Sequence, residues 1–109
     1  MFDFLEKNYT AISPEQGNTL MKDNKNIVLI DVRTPEEYKS GRIPKSINIP
    51  LQVLEEGLIK KNISKDSAII VYCQSGMRAS HASNILSKLG YSTVYNMGGI
   101  MNWPYEVVK

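Results

Sequence analysis

The sequence predicts a single α/β domain in which a mostly parallel central sheet of about five strands carries helices on both faces. Three observations support this. Two near-continuous apolar runs, "NIVLIDVR" at 26–33 and "DSAIIVYC" at 66–73, lack the alternation of a half-exposed strand, as strands covered on both faces do. Each run leads into a helix signal, and strands alternating with helices imply parallel pairing with helical crossovers. The length, 109 residues, suits one domain with one modest core, here spanning about residues 10–105.

Along the chain, "SPEQ" at 13–16 sets Ser13 as a cap, Pro14 at the first helical position and Gln16 at the third, a capping box that opens a helix to about Asp23. The stretch 27–32 is then predicted as a central parallel strand. "TPEEY" at 34–38 repeats the start signal, with Thr34 as cap and Glu37 able to reach back to it. The two prolines of "IPKSINIP" forbid a long helix, and "LQVLEEGLI" allows a short one ending near Gly57 or a little beyond. After the second apolar run, Ala82, Ile85, Leu86 and Leu89 fall at helical spacing and Gly90 supplies the stop. "STVYN" reads as a last short strand, and "GGIMNWP" as a tight turn followed by a brief helical segment. There is no internal repeat, and the Gly-x-Gly-x-x-Gly spacing of dinucleotide binding does not occur.

Composition excludes several classes. Hydrophobic residues at 42% and charged residues at 22% describe a globular chain rather than a disordered or fibrous one. Thirteen Lys and Arg against eleven Asp and Glu, spread along the chain, give no nucleic-acid face. The apolar runs fall short of the roughly 20 residues that span a bilayer, and "MFDFLEKNY" lacks the pattern of a targeting segment. One cysteine forms no internal disulfide, and with a lone His81 no zinc quartet exists, so neither a metal nor any other cofactor is expected. A reducing cytoplasm is the expected compartment.

The chemistry concentrates at the end of the second strong strand. In open α/β sheets ligands bind beyond the carboxyl ends of the strands, which is where Cys73 is predicted to lie. The residues "QSGMR" that follow are too few to do more than curl back, and Gly76 permits the dihedrals that such a curl demands. A ring of N–H groups then points inward with a helix N-terminus behind it, an arrangement that stabilises a thiolate or a bound anion. Arg78 adds a fixed charge and a planar fork of donors. A lone cysteine is more often a small core hydrophobe, but strand, Cys73, glycine-containing loop, Arg78 and helix together point to a nucleophile.

With these residues in view, the chain resembles the single-domain rhodaneses, a sulfurtransferase family, over about residues 10–105. The resemblance lies in "DVRTPEEY", "GRIPKSINIP", "CQSGMR" and "GGIMNW", matching the family's Asp-Val-Arg with acidic helix, its Gly-His-Ile-Pro segment, its Cys-x-x-Gly-x-Arg loop and its Gly-Gly-x-x-x-Trp ending. It implies the rhodanese-like three-layer fold. It also implies that Cys73 takes a sulfane sulfur from thiosulfate or a persulfide, becomes a persulfide itself, and passes the sulfur to cyanide, a thiol or a sulfur-accepting protein. Gln74, Ser75, Gly76, Met77 and Arg78 would form the binding cradle, with Arg78 orienting an anionic donor. Arg42 stands where the family has His, and Lys45-Ser46 where it has Gly-Ala.

Other residues receive structural readings first. Arg33 is expected to pair with Glu36 or Glu37, and Asp31 to accept backbone N–H groups, in support of the site. Ser75 has a hydroxyl that could reach a bound anion, although loop serines often satisfy their own backbone. His81 is expected to pack or face solvent, and Trp103 and Tyr105 to close the domain. The rival readings are a phosphatase or arsenate reductase of the same fold and a non-catalytic sulfide-sensing or interaction module. Only Gln74 to Met77 separate Cys73 from Arg78, whereas such phosphatases place five residues between Cys and Arg, so the shorter ring favours attack on sulfur.

Overall fold

The computed structural model describes residues 8–109, so the amino-terminal segment read above for targeting lies largely outside the described residues. Five strands form one sheet in the order β1-β5-β4-β2-β3, and every pairing is parallel. In chain order the elements are β1 (Thr10–Ala11), α1 (Pro14–Asp23), β2 (Val28–Asp31), α2 (Pro35–Ser40), β3 (Ile47–Asn48), α3 (Leu54–Lys60), β4 (Ala68–Cys73), α4 (Met77–Lys88) and β5 (Thr93–Gly99). Single 3-10 turns precede α3 and follow β5.

Both predicted capping boxes form. The Ser13 hydroxyl accepts from Gln16 N while the Gln16 side chain accepts from Ser13 N, and Thr34 and Glu37 repeat the exchange at α2. β4 lies mid-sheet, and its residues from Ile69 to Cys73 are buried, as its unbroken apolar run requires. Because successive side chains face opposite sides of a strand, Ile69, Val71 and Cys73 join one core with Leu54 and Leu58 of α3 and Ala79, Ala82 and Leu86 of α4. Ile70 and Tyr72 join the other, with Leu29, Ile43 and Met97 and with Leu20 and Met21 of α1 against it. Helices therefore cover both faces, and the period-2 rule sends the Cys73 sulfur toward α4.

Two differences from the sequence reading concern short or extended strands. β1 and β3 are two residues each, too short for any periodicity to register, and they are held by their neighbours in the sheet. The glycines expected to make a turn after the last strand instead belong to it: β5 continues through Gly99, which pairs with Cys73 beyond an irregularity between Val71 and Cys73. From β2 the chain moves outward to β3, whereas from β4 it moves the other way to β5. The loops after β2 and β4 therefore diverge and leave a crevice at the carboxyl end of the sheet.

Candidate active site

Cys73 ends β4 at that crevice, and the chain curls around its sulfur. The Sγ atom accepts hydrogen bonds from Gly76 N at 3.0 Å and Ala79 N at 3.3 Å. The loop thus closes on its own cysteine, with α4 starting at Met77. Gly76 has φ of 114°, which a side chain would strain, so the predicted role of this glycine in the curl holds. Oriented N–H groups and the start of a 12-residue helix favour negative charge at the sulfur.

The loop is backed by β5. An ideal Cβ on Gly99 would stand 2.7 Å from Ser75 Cα and 2.8 Å from Gln74 C, with the Gln74 carbonyl oxygen nearer still. Gly99 is extended, with φ of −121°, so the requirement here is space rather than conformation. The Gln74 carbonyl also accepts from Met101 N at 3.3 Å. Gly98, with φ of 79°, donates its N–H to the Asn96 side chain and turns the strand end toward the loop. By its sequence alone the glycine pair reads as a turn. The absence of a side chain at 99, at the end of a strand, is the signal that another backbone approaches closely there, whereas Gly98 has open space around it and is required by its positive φ.

On the β2 side, Asp31 and Arg33 are both buried and paired to each other. Arg33 Nη2 reaches Asp31 Oδ2 at 2.7 Å, Arg33 Nε reaches both carboxylate oxygens at 3.0 and 3.1 Å, and Arg33 N donates to Asp31 Oδ1 at 2.9 Å. The expected partnership of Arg33 with Glu36 or Glu37 does not form, whereas Asp31 does accept a backbone N–H. Burial opposes the Arg33 charge, but the hydrogen bonds and attraction of Asp31 outweigh it and raise the guanidinium pKa above its usual value. Arg33 also donates to the Gly41 carbonyl at 2.6 Å and to the Gln74 side chain at 3.3 Å, joining β2, the segment after α2 and the cysteine loop. Asn48, which was not singled out, clamps this corner by donating to the carbonyls of Asp31 and Arg33.

Glu37 caps α2 as expected, but its ion-pair partner is Arg78 rather than Arg33. Its carboxylate receives both ends of the Arg78 guanidinium, at 2.7 and 3.0 Å, as well as Thr34 N at 2.9 Å. The Arg78 hydrogen bonds lower its pKa to about 2, with burial opposing and Thr34 assisting. Arg78, about one-third exposed, is raised in turn chiefly by Glu37. Glu37 is unavailable to Arg33 because the capping box turns its side chain toward α4 and the Asp31 carboxylate lies nearer.

Of the remaining loop residues, Ser75 and Met77 are exposed, and Met77 retains 84% of its surface. Tyr72 points away from the loop; burial raises its pKa and keeps it a neutral phenol, which donates to Ser46 and accepts from Ile43 N. His81 is exposed on α4. Trp103 packs against the α1-side core, while Tyr105 is exposed and meets it edge-on with ring centroids 5.0 Å apart. Arg42 lies over the Tyr38 ring at 4.7 Å, and Lys45 is exposed with φ of 72°, a left-handed value that suits the glycine the family pattern carries there.

A parallel five-stranded sheet with one cysteine cradled by the loop after its middle strand defines a rhodanese-type domain. The chain belongs to the rhodanese-like domain family, whose model matches residues 13–105. It is 38% identical to the thiosulfate sulfurtransferase PspE of Escherichia coli over 80 residues, which cover 73% of this chain and 77% of that protein. A rhodanese-related protein from Thermoplasma volcanium has a solved structure that superposes with a TM-score of 0.75 at 36% identity, covering 92% of this chain and 98% of that one. The chain is also 34% identical to a tRNA uridine(34) hydroxylase from Buchnera aphidicola over 93% of its own length, but that match covers 34% of the hydroxylase.

Proposed function

We propose that this protein is a sulfurtransferase that carries a sulfane sulfur on Cys73 from a donor such as thiosulfate or a persulfide to a thiol or cyanide. The supporting observation is the Cys73 sulfur held by the N–H groups of Gly76 and Ala79 inside a short loop. In the first half-reaction the Cys73 thiolate attacks the outer sulfur of thiosulfate, the donor S–S bond breaks, and sulfite leaves with the electron pair. Cys73 is then a persulfide. In the second, cyanide or a thiolate attacks the terminal sulfur and the Cys73 thiolate is released.

Each part of the site has a task in this sequence. The amides at Gly76 and Ala79 stabilise the thiolate both as nucleophile and as leaving group. The other loop N–H groups, from Gln74 to Arg78, form the cradle for the transferred sulfur, and the four residues between Cys73 and Arg78 enclose a smaller space than a tetrahedral phosphate needs. With one cysteine in the chain no second thiol resolves the persulfide, so the sulfur waits for an external acceptor. A reducing cytoplasmic setting suits a lone thiol that must stay free.

Thiocyanate formation from thiosulfate and cyanide, measured beside hydrolysis of an aryl phosphate, tests the reading. Sulfur transfer without phosphatase activity is expected, along with a mass increase of one sulfur atom after thiosulfate treatment that cyanide reverses. Cys73→Ser should abolish both, since an alcohol is not ionised at neutral pH. Turnover by that variant, or steady turnover without added sulfur, would overturn the mechanism.

A further inference from the structure

Arg78 is the cation that the loop itself carries, yet its guanidinium turns out of the loop and onto Glu37 of α2. The pair is bidentate, at 2.7 and 3.0 Å, and it leaves the loop with a neutralised rather than a free positive charge. The nearest other guanidinium, that of Arg33, is likewise neutralised, by Asp31 at 2.7 Å. The exposed side chains around the loop carry no charge: Gln74 and Ser75 are polar and neutral, and Met77 at the start of α4 and Met101 just after β5 retain 84% and 65% of their surface. The amides of the loop remain, but they act over short range on the sulfur they touch. Long-range attraction for a highly charged donor requires net side-chain charge, which Glu37 cancels.

We propose that Glu37 is a positioning residue that sets donor selectivity: by holding Arg78 in an ion pair it biases the site against the thiosulfate dianion and toward persulfides on uncharged carriers. The proposal rests on the sulfur-transfer reading above for its substrates. The first bond-making step is the same for both donors. Cys73 thiolate attacks the outer sulfur and the donor S–S bond breaks, with sulfite departing from thiosulfate and a thiolate departing from an alkyl persulfide. The donors differ by one negative charge on approach, and the electrostatic part of the barrier scales with that charge.

Glu37→Gln isolates the effect. Gln is the other residue that completes a capping box, so the start of α2 is kept, while its amide NH2 opposes one arm of the guanidinium and removes the negative charge. Arg78, in the first turn of α4 behind the loop, is then free to turn toward it. The ratio of kcat/KM for thiosulfate to that for the persulfide of 2-mercaptoethanol should rise roughly threefold, one unit of donor charge in a partly solvated site. The gain should shrink as salt is added. In an Arg78→Met background the same substitution should give a clearly smaller gain, because only the lost carboxylate charge then acts and no guanidinium is released toward the loop.

A second measurement needs no turnover. The rate of Cys73 alkylation by iodoacetate relative to iodoacetamide reads the potential at the same sulfur, and Glu37→Gln should raise this ratio also roughly threefold, and by less when Arg78 is replaced by Met. Equal losses with both sulfur donors and an unchanged alkylation ratio would mean that the pair only braces the loop, and the proposal would fail. Gains of undiminished size in the Arg78→Met background would also overturn it, since Glu37 would then not act through Arg78. If the unmodified protein turned over neither donor, the sulfur-transfer reading would fall, while the alkylation ratio would still decide whether Glu37 masks Arg78.

Discussion

Gly99→Ala tests how tightly β5 backs the cysteine loop. The added methyl would sit 2.7 Å from Ser75 Cα and 2.8 Å from Gln74 C, with the Gln74 carbonyl oxygen nearer still, against 3.4 Å or more for ordinary contact, so one backbone must retreat by about 1 Å. Neither side has a flexible group to yield. Gln74 follows Cys73, and its carbonyl is held by Met101 N, while Gly99 itself pairs with Cys73. A displacement of this size moves the Gly76 and Ala79 amides relative to the sulfur that they contact at 3.0 and 3.3 Å. Overpacking of this kind costs about 1–3 kcal/mol of stability. Misplacement near 1 Å at a reacting centre can cost about 100-fold in rate, so a 10- to 100-fold loss of kcat/KM for sulfur transfer is expected, in roughly this range. Urea unfolding and steady-state thiocyanate formation on the same preparation measure the two effects. Wild-type kinetics in a folded Ala variant would refute the claim that the two backbones are in required contact.

Two further outcomes follow from the ion pairs. Asp31→Asn leaves the buried Arg33 without its counter-charge and should destabilise the protein by about 3–5 kcal/mol, read as a lower urea midpoint; a loss below about 1 kcal/mol would show that Gly41 and Gln74 suffice to hold the guanidinium. The Glu37 carboxyl is depressed from 4.5 to about 2, so its contribution to stability is present above pH 4.5 and is lost as pH falls through about 2. For a pair exposed by about a third this amounts to about 1 kcal/mol at most. The stability difference between the unmodified protein and Arg78→Met should therefore be constant above about pH 5 and vanish near pH 2, as unfolding curves across that range would show.

Much of the architecture was legible because it rests on local chemistry. The capping boxes at Ser13 and Thr34 need only residues three apart, and the unbroken apolar runs of β2 and β4 demand cover on both faces wherever they lie. The curl of the loop around Cys73 could be read in the same way, since Cys73, Gly76 and the start of α4 are contiguous and the curl needs no distant partner. What only the tertiary structure decided are the contacts between segments far apart in sequence. Glu37 lies 41 residues from Arg78, and although the capping box singles it out from Glu36 locally, nothing local says that a guanidinium from α4 will meet it. Burial is tertiary even between near neighbours: Asp31 and Arg33 lie two residues apart, but it is their burial at the same corner that makes Asp31 the partner of Arg33, because a charge without a counter-charge cannot be kept out of water there. Gly99 became part of the site because parallel pairing set β5 beside β4 and left no room for a side chain against the loop. Periodicity and capping act over a few residues and leave their mark in the sequence, whereas the choice among possible charge partners and the clearance between two backbones exist only once the sheet has brought its strands together.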